Sequence, residues 1–166
     1  MMNSKKIVTN CAALALVFLA MSISAQAQSS KSQSMINEIK AELPGRQKEI
    51  AEKCDGAAVV VDVDFASFGD NYDALLRVPQ LGLKETSNGF RRFCTDSNNT
   101  SQSDAAKVGA LKSKVKKIVL KHVQTQEEKK VSLQSGGVVL IEMKFDKPLG
   151  GGISYTEIAT KLADIL

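Results

Sequence analysis

The sequence predicts an α+β domain: a small antiparallel sheet of about four strands, including a three-strand meander, with helices packed mainly on one face. Three observations lead there. Apolar residues alternate one by one in Val59–Phe65 and again in Val131–Leu133 and Val139–Phe145, the period of a strand with one buried face. Stripes at i, i+3, i+4 stand before, between and after these runs, the period of an amphipathic helix. The chain has 166 residues, 43% apolar and 24% charged, which suits one folded domain rather than a disordered or multidomain chain.

The N-terminal segment reads as an address. Lys5 and Lys6 precede an apolar run from Ala12 to Ile23, and Ala25-Gln26-Ala27 offers a small-x-small exit. In that order the three parts describe a secretory signal peptide, cleaved after Ala27. A membrane span needs about 20 apolar residues, more than this run supplies, and nothing later in the sequence is longer. Cys11 lies before the run, which disfavours a lipoprotein. Residues 28–34 (QSSKSQS) read as a flexible lead, and 35–166 as the single domain. Cleavage takes both early lysines, so the basic surplus falls from four to two. The expected destination is the periplasm or the extracellular space.

Within the domain, Met35, Ile36, Ile39 and Leu43 repeat at helical spacing after a Ser34 cap, and Pro44-Gly45 interrupts them. Two short helices, or one kinked helix, are expected up to Asp55-Gly56. Ala57–Ala66 is the clearest strand, with Val59, Val61, Val63 and Phe65 on one face and Val60, Asp62 and Asp64 on the other. Asp70 can cap a helix over 71–77 that Pro79 limits. Phe90, Phe93 and Cys94 suggest a helix over 86–94, followed by a wholly polar loop from Thr95 to Ser103. Val108, Leu111 and Val115 mark a helix from Asp104. Lys117–Gln124 fits either a continued helix or a strand; its β-branched content and the strands after it favour a strand. Gly136-Gly137 turns the chain between the last two strands. Lys147–Gly152 is a hinge too unlike a phosphate loop to bind phosphate, because no Lys follows the glycines. Ser154-x-x-Glu157 is a capping box opening a last helix with Tyr155, Ile158, Ala159, Leu162, Ile165 and Leu166 on its apolar side.

No sequence motif names a reaction. Cys54 and Cys94 are the two cysteines left after cleavage, and export favours a bridge between them, which across 40 residues stabilises the fold by about 3–4 kcal/mol. They lack the C-x-x-C spacing of a redox pair. His122 is the sole histidine. Without an orienting partner in view it reads as an ordinary partly buried ring rather than a general base. Asp62 and Asp64 point to one side of a strand, about 6–7 Å apart. With Asp70 and Asp73 they could hold a hard cation or form an acid/base pair, but the spacing misses the calcium-loop pattern, and a wet edge-strand face accounts for them.

Lys107, Lys112, Lys114, Lys116, Lys117 and Lys121 follow one another with no acid among them. They form a candidate patch for an anionic partner (an acidic protein, lipid headgroups or wall polymer), or a solvated face that opposes self-association. Nucleic acid fits poorly, for the run contains neither Arg nor an interleaved aromatic. Asn98 and Asn99 begin overlapping sequons that matter only in a eukaryotic secretory host. No cofactor is called for. The expectation is a small exported, disulfide-stapled, non-catalytic module that binds an envelope or extracellular component, with oligomeric state left open. The alternative is a metal-dependent or carboxylate-based enzyme or binder centred on Asp62 and Asp64. The bridge has a direct check: intact mass of the mature protein should rise by about two mass units on reduction, and an unchanged mass means free thiols.

Overall fold

The computed structural model describes residues 29–95, 102–125, 127–145 and 152–166. The expected signal peptide, both sequons and most of the 147–152 hinge lie outside the described residues.

Helix α1 spans Ser30–Lys53 without a break. It starts inside the stretch expected as a polar lead, because the Ser29 hydroxyl accepts the Ser32 N–H and Ser32 is buried. It also runs through Pro44, which removes one intrahelical donor. Two features offset that loss. Ile39 and Ile50 are eleven residues apart, close to three full turns, so a continuous helix buries both on one face. Across the Pro-Gly step, Arg46 holds Glu42 on one side (Nε to Oε1, 2.8 Å) and Glu49 on the other (3.0 Å). Asp55 and Gly56 then take left-handed backbone and end the helix, with the Gly56 N–H returning to the Ala51 carbonyl.

Strand β1 (Val60–Asp64) comes next, then a 3₁₀ turn (Phe65–Phe68) and the one-turn helix α2 (Tyr72–Leu75). Asn71, not Asp70, caps α2 by accepting the Ala74 N–H. Pro79 does not stop the helical path. It enters the first turn of a wide π-helical segment, Val78–Lys84, that leads straight into α3 (Glu85–Cys94). A side chain at Gly82 would meet the Phe145 ring at 2.9 Å, so glycine lets the π segment lie against the core. Helix α4 (Ala105–Lys114) has the Asp104 carboxylate on its first N–H groups, and α5 (Tyr155–Ile165) has the expected Ser154 cap.

The sheet is mixed rather than antiparallel, with order β1-β2-β4-β3, where β2 is Lys117–His122, β3 Lys130–Gln134 and β4 Val138–Met143. β1 and β4 both run parallel to β2, and only β3 with β4 is antiparallel. The three-strand meander is therefore not formed: β4 takes the place beside β2 that β3 was expected to fill. Composition explains the difference. β4 is apolar on both sides, with Val139, Ile141 and Met143 buried and Val138 and Leu140 half-buried, which suits an interior strand. β3 alternates Lys130, Ser132 and Gln134 with Val131 and Leu133, and suits an edge.

Register puts Val61, Ile118, Val139 and Leu133 in one row, and Val63, Leu120, Ile141 and Val131 in the next, all on the face that joins the helical core. The α3–α5 pair is pressed tightest. A Cβ at Gly89 of α3 would stand 2.6 Å from Ile158 of α5, and Glu85 of α3 accepts the Tyr155 N–H at 2.9 Å. Tyr155 itself, expected on the buried stripe, is 42% exposed. Gly89→Ala should cost about 1–3 kcal/mol by overpacking, and much less in an Ile158→Ala background. Urea unfolding of the four proteins checks this; a Gly89→Ala midpoint equal to wild type would refute the close approach.

Candidate functional site

The expected bridge is present. Cys54 caps the end of α1 and Cys94 ends α3, with Cα atoms 5.4 Å apart and both residues fully buried. Its 40-residue loop corresponds to about 4 kcal/mol in the chain-entropy account. The backbone tightens around it: the Asp104 N–H bonds the Cys94 carbonyl at 2.7 Å, and Thr95 and Ser103 form a single antiparallel bridge.

Asp62 and Asp64 do share the sheet face away from the core, as the alternation required. Lysines stand beside them. Asp62 lies 2.7 Å from the Lys117 ammonium and also accepts the Val63 N–H at 2.8 Å. Partial burial works against this carboxylate, but the Lys117 ammonium and the Val63 N–H outweigh it and hold its pKa below the ordinary value. Asp64 faces Lys121 in register, and its carbonyl accepts the Ser67 hydroxyl. Asp70 and Asp73 lie beyond the 3₁₀ turn, both exposed. Among the described residues, no group of three or more His, Cys, Asp or Glu side chains gathers as a metal site requires.

The six lysines of the basic run are dispersed. Lys107 pairs with Asp104 at 3.0 Å on α4, Lys117 with Asp62, and Lys121 with Glu142 at 3.1 Å. Lys114 donates to the Leu166 carbonyl. Lys112 and Lys116 are exposed, one on α4 and one in the turn before β2. Much of the charge that looks continuous in sequence is engaged inside the fold.

His122 closes β2 with 4% exposure, stacked on Phe68 at 5.2 Å between centroids and tilted to Phe145 at 6.0 Å. The Phe145 N–H donates to its Nδ1 at 3.3 Å, so a neutral ring carries its proton on Nε2. The ring thus helps build the end of the core.

Sequence patterns gave no warning of a polar cleft of about 860 Å³ beside the disulfide. Lys53 and Asp55 flank Cys54 on one wall; Arg91, Arg92 and Thr95 flank Cys94 on the other; Tyr155 stands at the rim. Asp55, at φ 49°, aims its carboxylate at the Ser103 hydroxyl, 2.9 Å away, which ties the end of α1 to the segment leading into α4. Arg91 and Arg92 are exposed, and neither is ion-paired with a described residue. Their one sequence signal is two adjacent arginines close to a cysteine.

No protein-family model, no curated protein and no solved structure matches the chain. Among the described residues no helix is long and apolar enough to cross a membrane.

The Asp62 ion pair gives a pH prediction. A carboxylate whose folded pKa lies below its unfolded value of about 3.9 adds stability above that pH and loses it as pH falls through the folded value. Asp62→Asn should be less stable than wild type near pH 6, by an amount small for so exposed a pair, and the deficit should shrink in acid as pH falls through the lowered folded pKa of the wild-type carboxylate. Thermal melts across this range check it; a deficit that persists unchanged in acid points to a packing effect instead.

Proposed function

We propose that the protein is an exported, non-catalytic binding module that receives an anionic group of its partner in the cleft beside the disulfide. The observation that supports this reading is the pair of guanidinium groups, Arg91 and Arg92, exposed at the cleft with no carboxylate partner among the described residues. Lys53 adds a third positive charge across the cleft, against Glu52 and Asp55. Guanidinium forks suit carboxylate, sulfate or phosphate oxygens. Exposed Tyr155 offers a flat apolar surface beside them, the combination that orients a ligand with one charged and one apolar or saccharide face. The bridge fixes both walls, so little conformational freedom is lost on binding. Export rests on the N-terminal sequence and accords with a disulfide.

The carboxylate alternative has less in its favour, since Asp62 is already engaged by Lys117. The lysine-run alternative competes on the same ligand chemistry, and variants separate the two. The mature protein would be titrated with a sulfated oligosaccharide and with poly-glutamate at low and moderate salt. Arg91→Gln/Arg92→Gln should weaken binding about tenfold or more, roughly 1.4 kcal/mol, while Lys112→Gln/Lys116→Gln should change it little. Binding untouched by the arginine pair but lost with the lysine pair would transfer the function to the lysine run.

A further inference from the structure

The cleft continues past the arginines. A second depression, of about 270 Å³, lies between α1 and α3 and shares Glu52, Lys53, Asn88 and Arg91 with the cleft, so the two form one trough. Along it Lys84, Asn88 and Arg91 follow at i, i+4 and i+7, one stripe of the helical path that leads from the π segment through α3. Helical rise sets Lys84 and Arg91 about 10 Å apart along the axis. The charges of the trough are unequally engaged. Lys53, Lys84, Arg91 and Arg92 are all exposed, and none is ion-paired with a described residue. The carboxylates have partners of their own: Glu49 accepts from Arg46 at 3.0 Å, Glu52 lies 3.8 Å from Lys48, and Asp55 accepts the Ser103 hydroxyl. Asn88, half-buried between Lys84 and Arg91, makes no side-chain hydrogen bond to a described residue, which leaves an amide donor and an amide acceptor side by side.

We propose that this trough binds an extended acidic peptide segment of a partner protein, with one carboxylate at Arg91, a second at Lys84 and the peptide backbone between them at Asn88. The proposal rests on reading the cleft as an anion site and names the class of partner that the site takes. Charge complementarity argues for the acidic side chains, because the cations along the trough are unpaired while its acids are engaged. Asn88 argues for the peptide. Its neighbouring donor and acceptor match the C=O and N–H of one peptide group, which an extended chain leaves free and a helix uses internally. Dimensions agree. An extended chain advances about 3.3 Å per residue and sends alternate side chains to one side, so three or four residues cover the distance from Lys84 to Arg91. Two carboxylates at i and i+2 then stand about 7 Å apart, a separation that the long Lys and Arg stems accommodate. A sulfated saccharide would meet the same cations, but it presents hydroxyls to Asn88 instead of a paired amide donor and acceptor.

The test titrates the mature protein at low salt with end-blocked glutamate, tetraglutamate and hexaglutamate, and with a sulfated oligosaccharide matched in charge to the tetramer. Affinity should rise at least about tenfold from the single residue to the tetramer and little from there to the hexamer. Lys84→Gln should raise the tetramer's dissociation constant about threefold, the scale of one exposed ion pair, and Asn88→Ala should raise it by a similar factor. Neither should change the constant for single glutamate, which Arg91→Gln/Arg92→Gln weakens. Thermal midpoints equal to wild type establish that both variants are folded. A tetramer that binds no better than single glutamate, or one indifferent to both Lys84→Gln and Asn88→Ala, overturns the trough and leaves the arginine cleft standing. An oligosaccharide that depends on Lys84 and Asn88 where the tetramer does not also overturns the peptide assignment. Failure of the cleft reading itself looks different: every probe, the single residue included, is then unaffected by Arg91→Gln/Arg92→Gln.

Discussion

The bridge from Cys54 to Cys94 joins the ends of two helices, α1 and α3, that arrive at the same point from separate parts of the chain. Most of the architecture depends on that junction. β1 leaves from the end of α1, so fixing Cys54 fixes where the first strand enters the sheet. α4 begins beyond the end of α3, with the Cys94 carbonyl holding the Asp104 N–H, so fixing Cys94 also fixes the helix that leads into β2. β1 and β2 are parallel neighbours with more than fifty residues between them. Closing a loop of that length is entropically costly, and the covalent link from Cys54, just before β1, to Cys94, within the loop, lowers the cost by restricting the unfolded chain. The polar cleft is a consequence of the same junction, because its walls are built largely from residues near each cysteine.

The sheet separates two tasks by face. One face carries the rows of Val, Ile and Leu that join the helical core. The other carries a charge ladder, with Asp64, Lys121, Glu142 and Lys130 side by side in one register row and Lys117 beside Asp62 nearby. Glu142 shows what such a ladder costs and how it is met. It is only 7% exposed, and a carboxylate taken that far from water needs cations at hand; Lys121 and Lys130 supply them at 3.1 and 3.3 Å. Replacing either lysine alone would leave the other as the nearest counter-charge.

How much of this the sequence disclosed varies with the range of the interaction. Period-two and period-3.6 patterns are local, and they place all four strands and the helices at α1, α3, α4 and α5 within a few residues. Pro44 misleads because its local effect is real; the phase that keeps Ile39 and Ile50 on one face spans eleven residues and outweighs it. Strand order depends on which strand can tolerate two covered faces. The near-continuous apolar run of β4 carries that signal, although the alternation within it also fits a strand with one wet face. The cleft leaves almost no trace in sequence. Lys53, Arg91 and Tyr155 are far apart along the chain, and the bridge and the α3–α5 contact bring them to one place.

Net charge conveys little about where charge is available. The lysine run from Lys107 to Lys121 is the most basic stretch of the sequence, yet carboxylates and a carbonyl inside the fold engage four of its six members. An ammonium 2.7–3.1 Å from a carboxylate is largely neutralised toward an outside partner, and solvent ions screen what remains beyond about 8–10 Å. Arg91 and Arg92 sit in a stretch with no such density, but neither is ion-paired with a described residue, although Glu52 and Asp55 line the same cleft. The number of cations along a stretch of sequence is therefore a poor guide to how many of them remain unpaired in the fold. The sheet edges show the same economy: on β1 the Gln47 and Asp62 side chains turn toward the strand's own backbone, and on β3 Lys130 pairs with Glu142 of the neighbouring strand while its side chain stays largely exposed. In both cases what a residue can do for a partner is decided by what it already does for the fold.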